Sequence, residues 1–141
     1  MADTLVVSTR KKTEVVNVTA LIGDCIGSRE SRPEKALAHL SLPHTTAALF
    51  LGEDDEELRQ DFIKTAEEWL GPLEPFRHVR NQNPNAAAHI LSSLFGNGIL
   101  IPVENGALVL GSYQNILLLE MDGPKERKIR VELFGSEGER P

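Results

Sequence analysis

The segment 98–121 constrains the fold of this chain more than any other, because it consists of three apolar runs separated by turn signals. The runs read GILIPV, ALVLGSYQ and NILLLEM, and the breaks fall at Asn105-Gly106 and at Gly111. Each run has the length of a strand, and none approaches the ~18 apolar residues that a membrane span requires. Because several of these residues are apolar in succession, we expect the strands to be covered on both faces.

Two helices are predicted in the middle of the chain. Residues 54–71 begin with acidic residues, which suit the positive end of a helix dipole. Residues 86–95 follow Asn85, a residue typical of helix caps, and stop at Gly96. The first helix repeats its apolar residues at helical spacing, at Leu58, Phe62, Ala66 and Trp69.

Strand patterns flank these helices on both sides, and a third, short helix is predicted over ALIGDCIG. TLVVST and TEVVNVT carry β-branched pairs, TTAALFLG is typical of a buried strand, and ALAHLSLP and KIRVELFG alternate apolar with polar residues. This order predicts the α+β class, with a mixed or antiparallel sheet that carries helices on one face. No repeat or linker divides the chain, so residues 1–141 are predicted to form one domain.

Composition narrows the class of partner. The 141 residues carry a net charge of −6, whereas a surface that tracks nucleic-acid phosphates needs excess Lys and Arg. Cys25 is the single cysteine and is interpreted as a small core residue, so no disulfide forms within the chain and a reducing cytoplasm is expected. The sequence opens without a charged-then-apolar leader. We therefore expect a cytoplasmic protein that binds neither nucleic acid nor a membrane.

One histidine lies inside the predicted helix 86–95. The apolar residues of this helix form a stripe of Ala87, Ile90, Leu91 and Leu94. The neighbours of His89 at helical spacing are small instead, namely Asn85, Ala86, Ser92 and Ser93. Small residues give a ligand or another backbone room to approach, so this face is predicted to be a wall of the functional site. The free N–H groups of the first turn would stabilise an anion there.

Two further histidines stand at the edges of predicted elements, His44 before a strand and His78 in the loop before the helix. Three converging imidazoles would leave an open fourth position on a zinc ion, as catalytic zinc sites do. The chain has no HxH or HExxH spacing, and the alternative is that each histidine only hydrogen-bonds locally. His39 alternates onto a strand face and is interpreted as structural or solvated.

Glu120 ends the apolar run ILLL, where a carboxylate costs free energy unless it is paired. We interpret it either as the partner of Arg127 or Lys125, or as a general base or metal ligand. On the general-base alternative, Glu120→Gln should leave folding intact and remove activity. The acidic stretch EDDEE is interpreted as a helix start rather than a metal cluster.

Five short motifs occur along the chain. They are His44-Thr45-Thr46-Ala47; the loop histidine His78; Asn85, Ala86, Ala88, His89, Ser92, Ser93 and Gly96; Leu110-Gly111-Ser112-Tyr113-Gln114; and Glu120, Asp122, Gly123, Pro124, Lys125 and Arg127. Together they resemble the YjbQ family of small proteins, sometimes named secondary thiamine-phosphate synthase, over roughly residues 5–135.

The resemblance implies a single-domain α/β sandwich with a mixed sheet, assembled as a homotrimer. It also implies a site in which His44, His78 and His89 hold a metal ion. Zinc is the expected metal, because imidazole ligands favour it, and magnesium is the alternative. Glu120 and His89 are expected to be catalytic. The residues expected to bind substrate are Asn85, Ser93, Gln114 and Arg127.

The implied activity is that of a thiamine-phosphate synthase, a transferase that acts on small phosphorylated molecules. The cations expected to stabilise its pyrophosphate leaving group are Arg77, Arg80, Lys125 and Arg127. The alternatives are a zinc-dependent hydrolase of a small phosphorylated substrate and a non-catalytic oligomer that binds a metal or ligand. The chain departs from the family pattern in its acidic loop, Gly52–Asp55, and carries Tyr113 and Lys125 where the family has Trp and Arg.

Overall fold

The computed structural model describes residues 2–79 and 84–135, which form eight strands, three α-helices and a short 3₁₀ turn at Gly71–Leu73. The strands are β1 (Ala2–Ser8), β2 (Glu14–Asn17), β3 (Lys35–Ser41), β4 (Ala47–Gly52), β5 (Gly98–Glu104), β6 (Ala107–Leu108), β7 (Asn115–Glu120) and β8 (Glu126–Gly135). The helices are α1 (Thr19–Gly27), α2 (Glu56–Glu68) and α3 (Ala86–Phe95). None of the helices in these two ranges is long and apolar enough to cross a membrane.

The strands form two sheets. The larger has the order β1-β8-β3-β5-β6, and the smaller has the order β2-β7-β4. Every strand pair among the described residues is antiparallel. The predicted α+β class is therefore confirmed, and the sheets are of the antiparallel type rather than the mixed type.

A hydrophobic core lies between the two sheets, and β7 forms part of two cores at once. Ile116 and Leu118 of β7 belong to the core between the sheets. Leu117 and Leu119 point to the opposite face of the strand, because side chains alternate, and pack beneath the helices. Strand β7 is thus covered on both faces, as predicted, and both covers come from this chain. Strand β5 does not meet the same expectation within one chain, because Leu100 is 61% exposed.

Helices α2 and α3 cover the outer face of the three-stranded sheet. Asp55 caps α2, since its carboxylate accepts a hydrogen bond from the backbone N–H of Leu58 at 3.0 Å. Ala66 of α2 and Ala88 and Leu91 of α3 belong to the core beneath these helices. For α2 and α3 the prediction that helices lie on one face of a sheet is confirmed, and so is the predicted helix start at EDDEE. Helix α1 lies elsewhere, because its Ile22 and Ile26 pack in the core between the two sheets.

The buried face of α3 differs from the predicted apolar stripe. Ile90 and Leu94 are 37% and 62% exposed, so they do not face the core. Ala88 and Ser92 are buried in their place, and the Ser92 hydroxyl donates a hydrogen bond to the carbonyl of Ala47 at 2.6 Å. The predicted stripe is wrong because α3 presents its small residues to β4. Small residues let the backbones of α3 and β4 approach closely.

Apolar side chains are exposed on the outer face of the five-stranded sheet. Leu37, Leu100 and Phe134 are 45%, 61% and 55% exposed. Leu37 lies opposite both Pro102 and Phe134 in the strand register, and His39 lies opposite Leu100. We call Leu37, Leu100, Pro102 and Phe134 the outer patch. An exposed apolar patch of this kind is typical of an interaction surface.

The acidic loop that departs from the family pattern has a structural role. Asp54 accepts hydrogen bonds from Nδ2 of Asn17 at 2.7 Å and from Nη2 of Arg59 at 2.8 Å. Arg59 also donates to the carbonyl of Val15 at 3.1 Å. These hydrogen bonds from Arg59 and Asn17 hold the pKa of Asp54 below its usual range. The loop therefore ties the start of α2 to strand β2.

Candidate functional site

His78 and His89 contact one another edge to face and line the same cavity. Their ring centres are 5.0 Å apart and the rings are nearly perpendicular, at 81°. The cavity has a volume of about 420 Å³. It is lined by Phe76, Arg77, His78, Ala86, His89 and Ile90, and we call it the histidine cavity. It forms where the loop that carries His78 lies over the first turn of α3.

Asn85 precedes α3, but its side chain makes no capping hydrogen bond to the described residues of that helix. Its Oδ1 lies 3.0 Å from Nε2 of His78, and its Nδ2 donates to Oδ2 of Asp122 at 3.1 Å. Asn85 therefore occupies the predicted N-cap position, but its side chain does not cap the helix. Asn85 instead connects the histidine cavity to the loop that follows β7.

The two serines after His89 have different environments. The hydroxyl of Ser93 is exposed and donates to the carbonyl of His89, one turn earlier, at 3.2 Å. Ser92 faces the core, as described above. Only Ser93 therefore lies on the histidine side of the helix, and its hydrogen bond is to the helix backbone.

His44 is held differently from the other two histidines. Its Nε2 accepts a hydrogen bond from the backbone N–H of Lys128 at 2.8 Å. Burial lowers the pKa of His44, and the positive charge of Arg127 lowers it further. A neutral ring that accepts through Nε2 carries its proton on Nδ1. The lone pair of His44 Nε2 is thus occupied by the backbone N–H of Lys128, and the ring can donate a hydrogen bond only through Nδ1.

The predicted zinc site needs three converging ligands. Across residues 2–79 and 84–135, no group of three or more His, Cys, Asp or Glu side chains is placed to hold a metal ion. His78 and His89 pair, but two imidazoles are one ligand short of the three that a catalytic zinc site uses. The three-histidine group is not assembled in this part of one chain.

Glu120 is completely buried and pairs with Arg127, which is 3% exposed. Oε1 of Glu120 accepts from Nε of Arg127 at 2.9 Å and from the Thr9 hydroxyl at 2.7 Å, and Oε2 accepts from Nη2 of Arg127. Burial alone raises the pKa of Glu120, but the hydrogen bonds from Arg127 and Thr9 outweigh it and hold the pKa below its usual range. Of the open alternatives, the ion pair with Arg127 is the one observed, and a carboxylate with these partners is a poor general base.

Arg127 joins the two sheets. Besides Glu120 of β7, its Nη2 donates to the hydroxyl of Thr46 at 2.8 Å and to the carbonyl of Thr46 at 3.2 Å, just before β4. Arg127 itself lies on β8, in the other sheet. These contacts make it a structural cross-link, which differs from the substrate-binding role predicted from the motif.

The loop between β7 and β8 is fixed by the same ion pair. The backbone N–H groups of Met121 and Asp122 donate to Oε2 of Glu120 at 3.0 and 3.1 Å. Lys125 pairs with Asp122, with Nζ 2.7 Å from Oδ2, and not with Glu120. Asp122 is thereby held beside Asn85 and the histidine cavity.

Gln114 stabilises a turn. Its Oε1 accepts a hydrogen bond from the backbone N–H of Gly111 at 2.8 Å, and the side chain is exposed. Its neighbour Tyr113, which stands where the family has Trp, is 75% exposed. Among the described residues, the side-chain hydrogen bond of Gln114 is local to this turn and does not reach the histidine cavity.

The loop 10–12, Arg-Lys-Lys, lies against the β7–β8 loop, a contact that the sequence did not predict. Gly123 donates through its N–H to the carbonyl of Lys12 at 3.0 Å, and Thr9 donates to the carbonyl of Lys125 at 2.8 Å. Thr9 and Lys125 are 116 positions apart, so no local pattern reveals the contact. Arg80, a further predicted cation, lies outside the described residues.

Sequence comparison identifies relatives of this chain. Residues 3–136 match the family model described as UPF0047 protein YjbQ-like. A UPF0047 protein of Archaeoglobus fulgidus is 35% identical over 127 residues, which cover 90% of this chain and 96% of that protein.

Solved structures share the fold. The hypothetical protein APE1520 from Aeropyrum pernix K1 superposes with a TM-score of 0.87 at 30% identity, covering 96% of this chain and 99% of that chain. The protein SSO2532 from Sulfolobus solfataricus P2, described as YbjQ-like and of unknown function, has a TM-score of 0.87 at 31% identity and covers 96% and 97% of the two chains.

Proposed function

The chain belongs to the YjbQ-like UPF0047 family, and we propose that it is an enzyme that binds a small phosphorylated molecule in the histidine cavity. The observation that carries this proposal is the pairing of His78 with His89, 5.0 Å apart, on a cavity of about 420 Å³ that Arg77 also lines. The imidazole of His89 and the guanidinium of Arg77 can donate hydrogen bonds to phosphate oxygens. The volume suits a small-molecule site.

The start of α3 adds to this preference for an anion. Ala86, the first residue of the helix, also lines the cavity. The first turn of a helix carries N–H groups without helical partners and the positive end of the helix dipole. Because the whole chain has a net charge of −6, a local group of donors and a cation distinguishes this cavity from most of the surface.

The first reaction to test is the one that the family resemblance suggests. In thiamine-phosphate synthesis a thiazole nitrogen attacks the methylene carbon of a pyrimidine, the C–O bond to pyrophosphate breaks, and pyrophosphate leaves. This step needs donors for the leaving group more than a strong base. Arg77 and His89 would supply those donors. The burial of Glu120 fits a reaction that does not require it as a base.

The two alternatives make different demands. A zinc-dependent hydrolase needs three protein ligands and a metal-activated water. The described part of one chain does not group three such ligands, so we place this alternative second. A non-catalytic protein needs only the cavity, and binding without turnover would identify it.

We expect the protein to bind pyrophosphate, and His89→Ala to weaken binding about tenfold or more, since a hydrogen bond to a charged group contributes about 1.5–3 kcal/mol. Isothermal titration calorimetry measures both affinities. His39→Ala is the matched control, because His39 lies on the outer face of the five-stranded sheet, and it should keep the wild-type affinity. Equal affinities of wild type and His89→Ala, or no binding at millimolar pyrophosphate, would contradict this site.

A turnover assay separates the three functions. Wild-type protein is mixed with the pyrimidine pyrophosphate and the thiazole phosphate, and thiamine phosphate is followed. Product that is lost in His89→Ala supports the transferase. Pyrophosphate binding without product supports the non-catalytic alternative, and release of phosphate only when zinc is added supports the hydrolase.

We also propose that the outer patch is an interface between copies of this chain, with the trimer number taken from the family resemblance. Leu37, Leu100 and Phe134 leave apolar surface on a sheet face that residues 2–79 and 84–135 do not bury. Burial of such a patch against a second copy removes it from water, and closed symmetric oligomers are the common result.

Sedimentation velocity at micromolar concentration should therefore show an oligomer for the wild type. Leu100→Lys, which places a charge in the outer patch, should shift the protein toward monomer. Leu73→Lys is the control, because Leu73 is similarly exposed, 65% against 61%, but lies in the 3₁₀ turn. A wild-type protein that sediments as a stable monomer rules out this interface.

A further inference from the structure

Asp122 is a buried carboxylate to which the proposed reaction assigns no role. It is 5% exposed and lies in the loop between β7 and β8. Its backbone N–H donates to Oε2 of Glu120 at 3.1 Å, so the ion pair of Glu120 with Arg127 fixes the point from which its side chain extends. Lys125 lies 2.7 Å from Oδ2 and balances its charge.

The Asp122 carboxylate determines which way the Asn85 amide is turned. Oδ2 of Asp122 lies 3.1 Å from Nδ2 of Asn85. A carboxylate accepts hydrogen bonds but does not donate them, so the amide must direct its NH₂ group toward Asp122. The amide carbonyl oxygen is then directed at His78, where it lies 3.0 Å from Nε2.

The amide oxygen in turn selects the tautomer of His78. Because this oxygen can only accept, Nε2 of His78 must carry a proton. In the neutral ring the lone pair then lies on Nδ1. The ring also meets His89 edge to face at 5.0 Å, so it is held from two sides.

We propose that Asp122 is a positioning residue of the histidine cavity, which acts through Asn85 to hold His78 as the Nε2–H tautomer with Nδ1 as a hydrogen-bond acceptor. This inference rests on the proposed function in one respect, that the cavity binds a substrate. On this proposal the residues that line the cavity have two roles. Arg77 and His89 donate hydrogen bonds to phosphate oxygens, and His78 accepts a hydrogen bond from another group of the bound molecule. The phosphorylated molecule should therefore carry a hydroxyl or amino group as well.

Long-range ¹H–¹⁵N NMR spectra of the ligand-free protein test the tautomer, because protonated and lone-pair ring nitrogens have well-separated ¹⁵N shifts. In its neutral form, wild-type His78 should show a protonated Nε2 and an unprotonated Nδ1. Asp122→Ala and Asn85→Ala should each bring the two shifts closer together, because the tautomers then exchange. Asp122→Asn keeps an acceptor oxygen and should restore most of the separation.

Asp54→Ala is the matched control. Asp54 also accepts from the Nδ2 of an asparagine, Asn17, at 2.7 Å, but it lies in the loop before α2. Its removal should leave the His78 shifts unchanged. Unchanged shifts in the folded Asn85→Ala and Asp122→Ala proteins overturn the proposal, and so does an equal change in Asp54→Ala. If Asp122→Ala does not fold, Asn85→Ala still tests the proposal, because it removes the side chain that connects Asp122 to His78.

The two proposals can fail separately. The spectra need no ligand, so a protein that does not bind pyrophosphate can still show the single His78 tautomer. Conversely, a protein that binds pyrophosphate through His89 but shows exchanging His78 tautomers keeps the proposed function and refutes the role of Asp122.

Discussion

Glu120→Gln should lower the free energy of unfolding by about 3–5 kcal/mol, the range typical of breaking a buried ion pair from one side. Both oxygens of Glu120 accept hydrogen bonds, from Thr9, Arg127 and two backbone N–H groups. A glutamine amide would turn its NH₂ group toward some of these donors and leave the buried Arg127 without a counter-charge. Urea denaturation measures the change. This reverses the expectation of intact folding that follows from a general-base role.

The pH dependence of stability gives a second readout of the same pair. The pKa of Glu120 is lowered in the folded protein, so its contribution is present at neutral pH. That contribution is lost as the pH falls from about 4.3, the ordinary glutamate value, through the lowered folded value. Glu120→Gln should therefore remove part of the acid destabilisation of the wild type.

Glu126→Gln is the control for this experiment, because Glu126 is exposed at the start of β8. It should change the free energy of unfolding by less than about 0.5 kcal/mol. A Glu120→Gln protein that is as stable as the wild type would contradict the structural role and return Glu120 to the list of catalytic candidates.

Gly123→Ala should destabilise the protein by about 3 kcal/mol or more, at or above the upper end of the usual range for overpacking. A Cβ at this position would lie 2.3 Å from the carbonyl oxygen of Lys11 and 2.8 Å from Cγ of Glu120. The first of these is a backbone atom that cannot rotate away, so the loop 10–12 and the β7–β8 loop would have to separate. Thermal or urea unfolding measures the loss.

Gly71→Ala is the matched control for this substitution. A Cβ added at Gly71 meets no atom within 4 Å, so the variant should unfold close to the wild-type midpoint. If Gly123→Ala unfolds at that same midpoint, the two loops do not pack together as described.

These two substitutions probe one connected structure. Arg127 holds Glu120, Glu120 holds the backbone of Asp122, Asp122 holds Asn85, and Asn85 meets His78. A buried ion pair is a weak source of net stability compared with apolar packing. The pair of Glu120 with Arg127 instead fixes the position of the β7–β8 loop, and this loop supports one wall of the histidine cavity.

The sequence predicted the elements of the fold where local patterns determine them. Helix α3 has the predicted bounds 86–95, and Asn105-Gly106 forms the predicted turn, with φ of 50° and 82°. The division into two sheets could not be predicted in this way. It depends on pairs such as Ala2 with Glu132, which lie at opposite ends of the chain. Strand β6 also proved shorter than its apolar run, at two residues.

The site was predicted in part. His89 and His78 do share one cavity, as the small residues around His89 and the loop position of His78 suggested. The sequence could not show that Asn85 binds Asp122, 37 residues away, instead of capping its own helix. It also could not show that the backbone N–H of Lys128 binds His44, because such a contact depends on how distant segments are aligned.

The most direct test of the histidine cavity is a crystal structure of the protein with pyrophosphate. We predict that the anion lies between Arg77 and His89, with its oxygens about 2.7–3.2 Å from their nitrogen atoms. Pyrophosphate bound elsewhere, for example on the loop 10–12, with none in the histidine cavity, would contradict the proposed function.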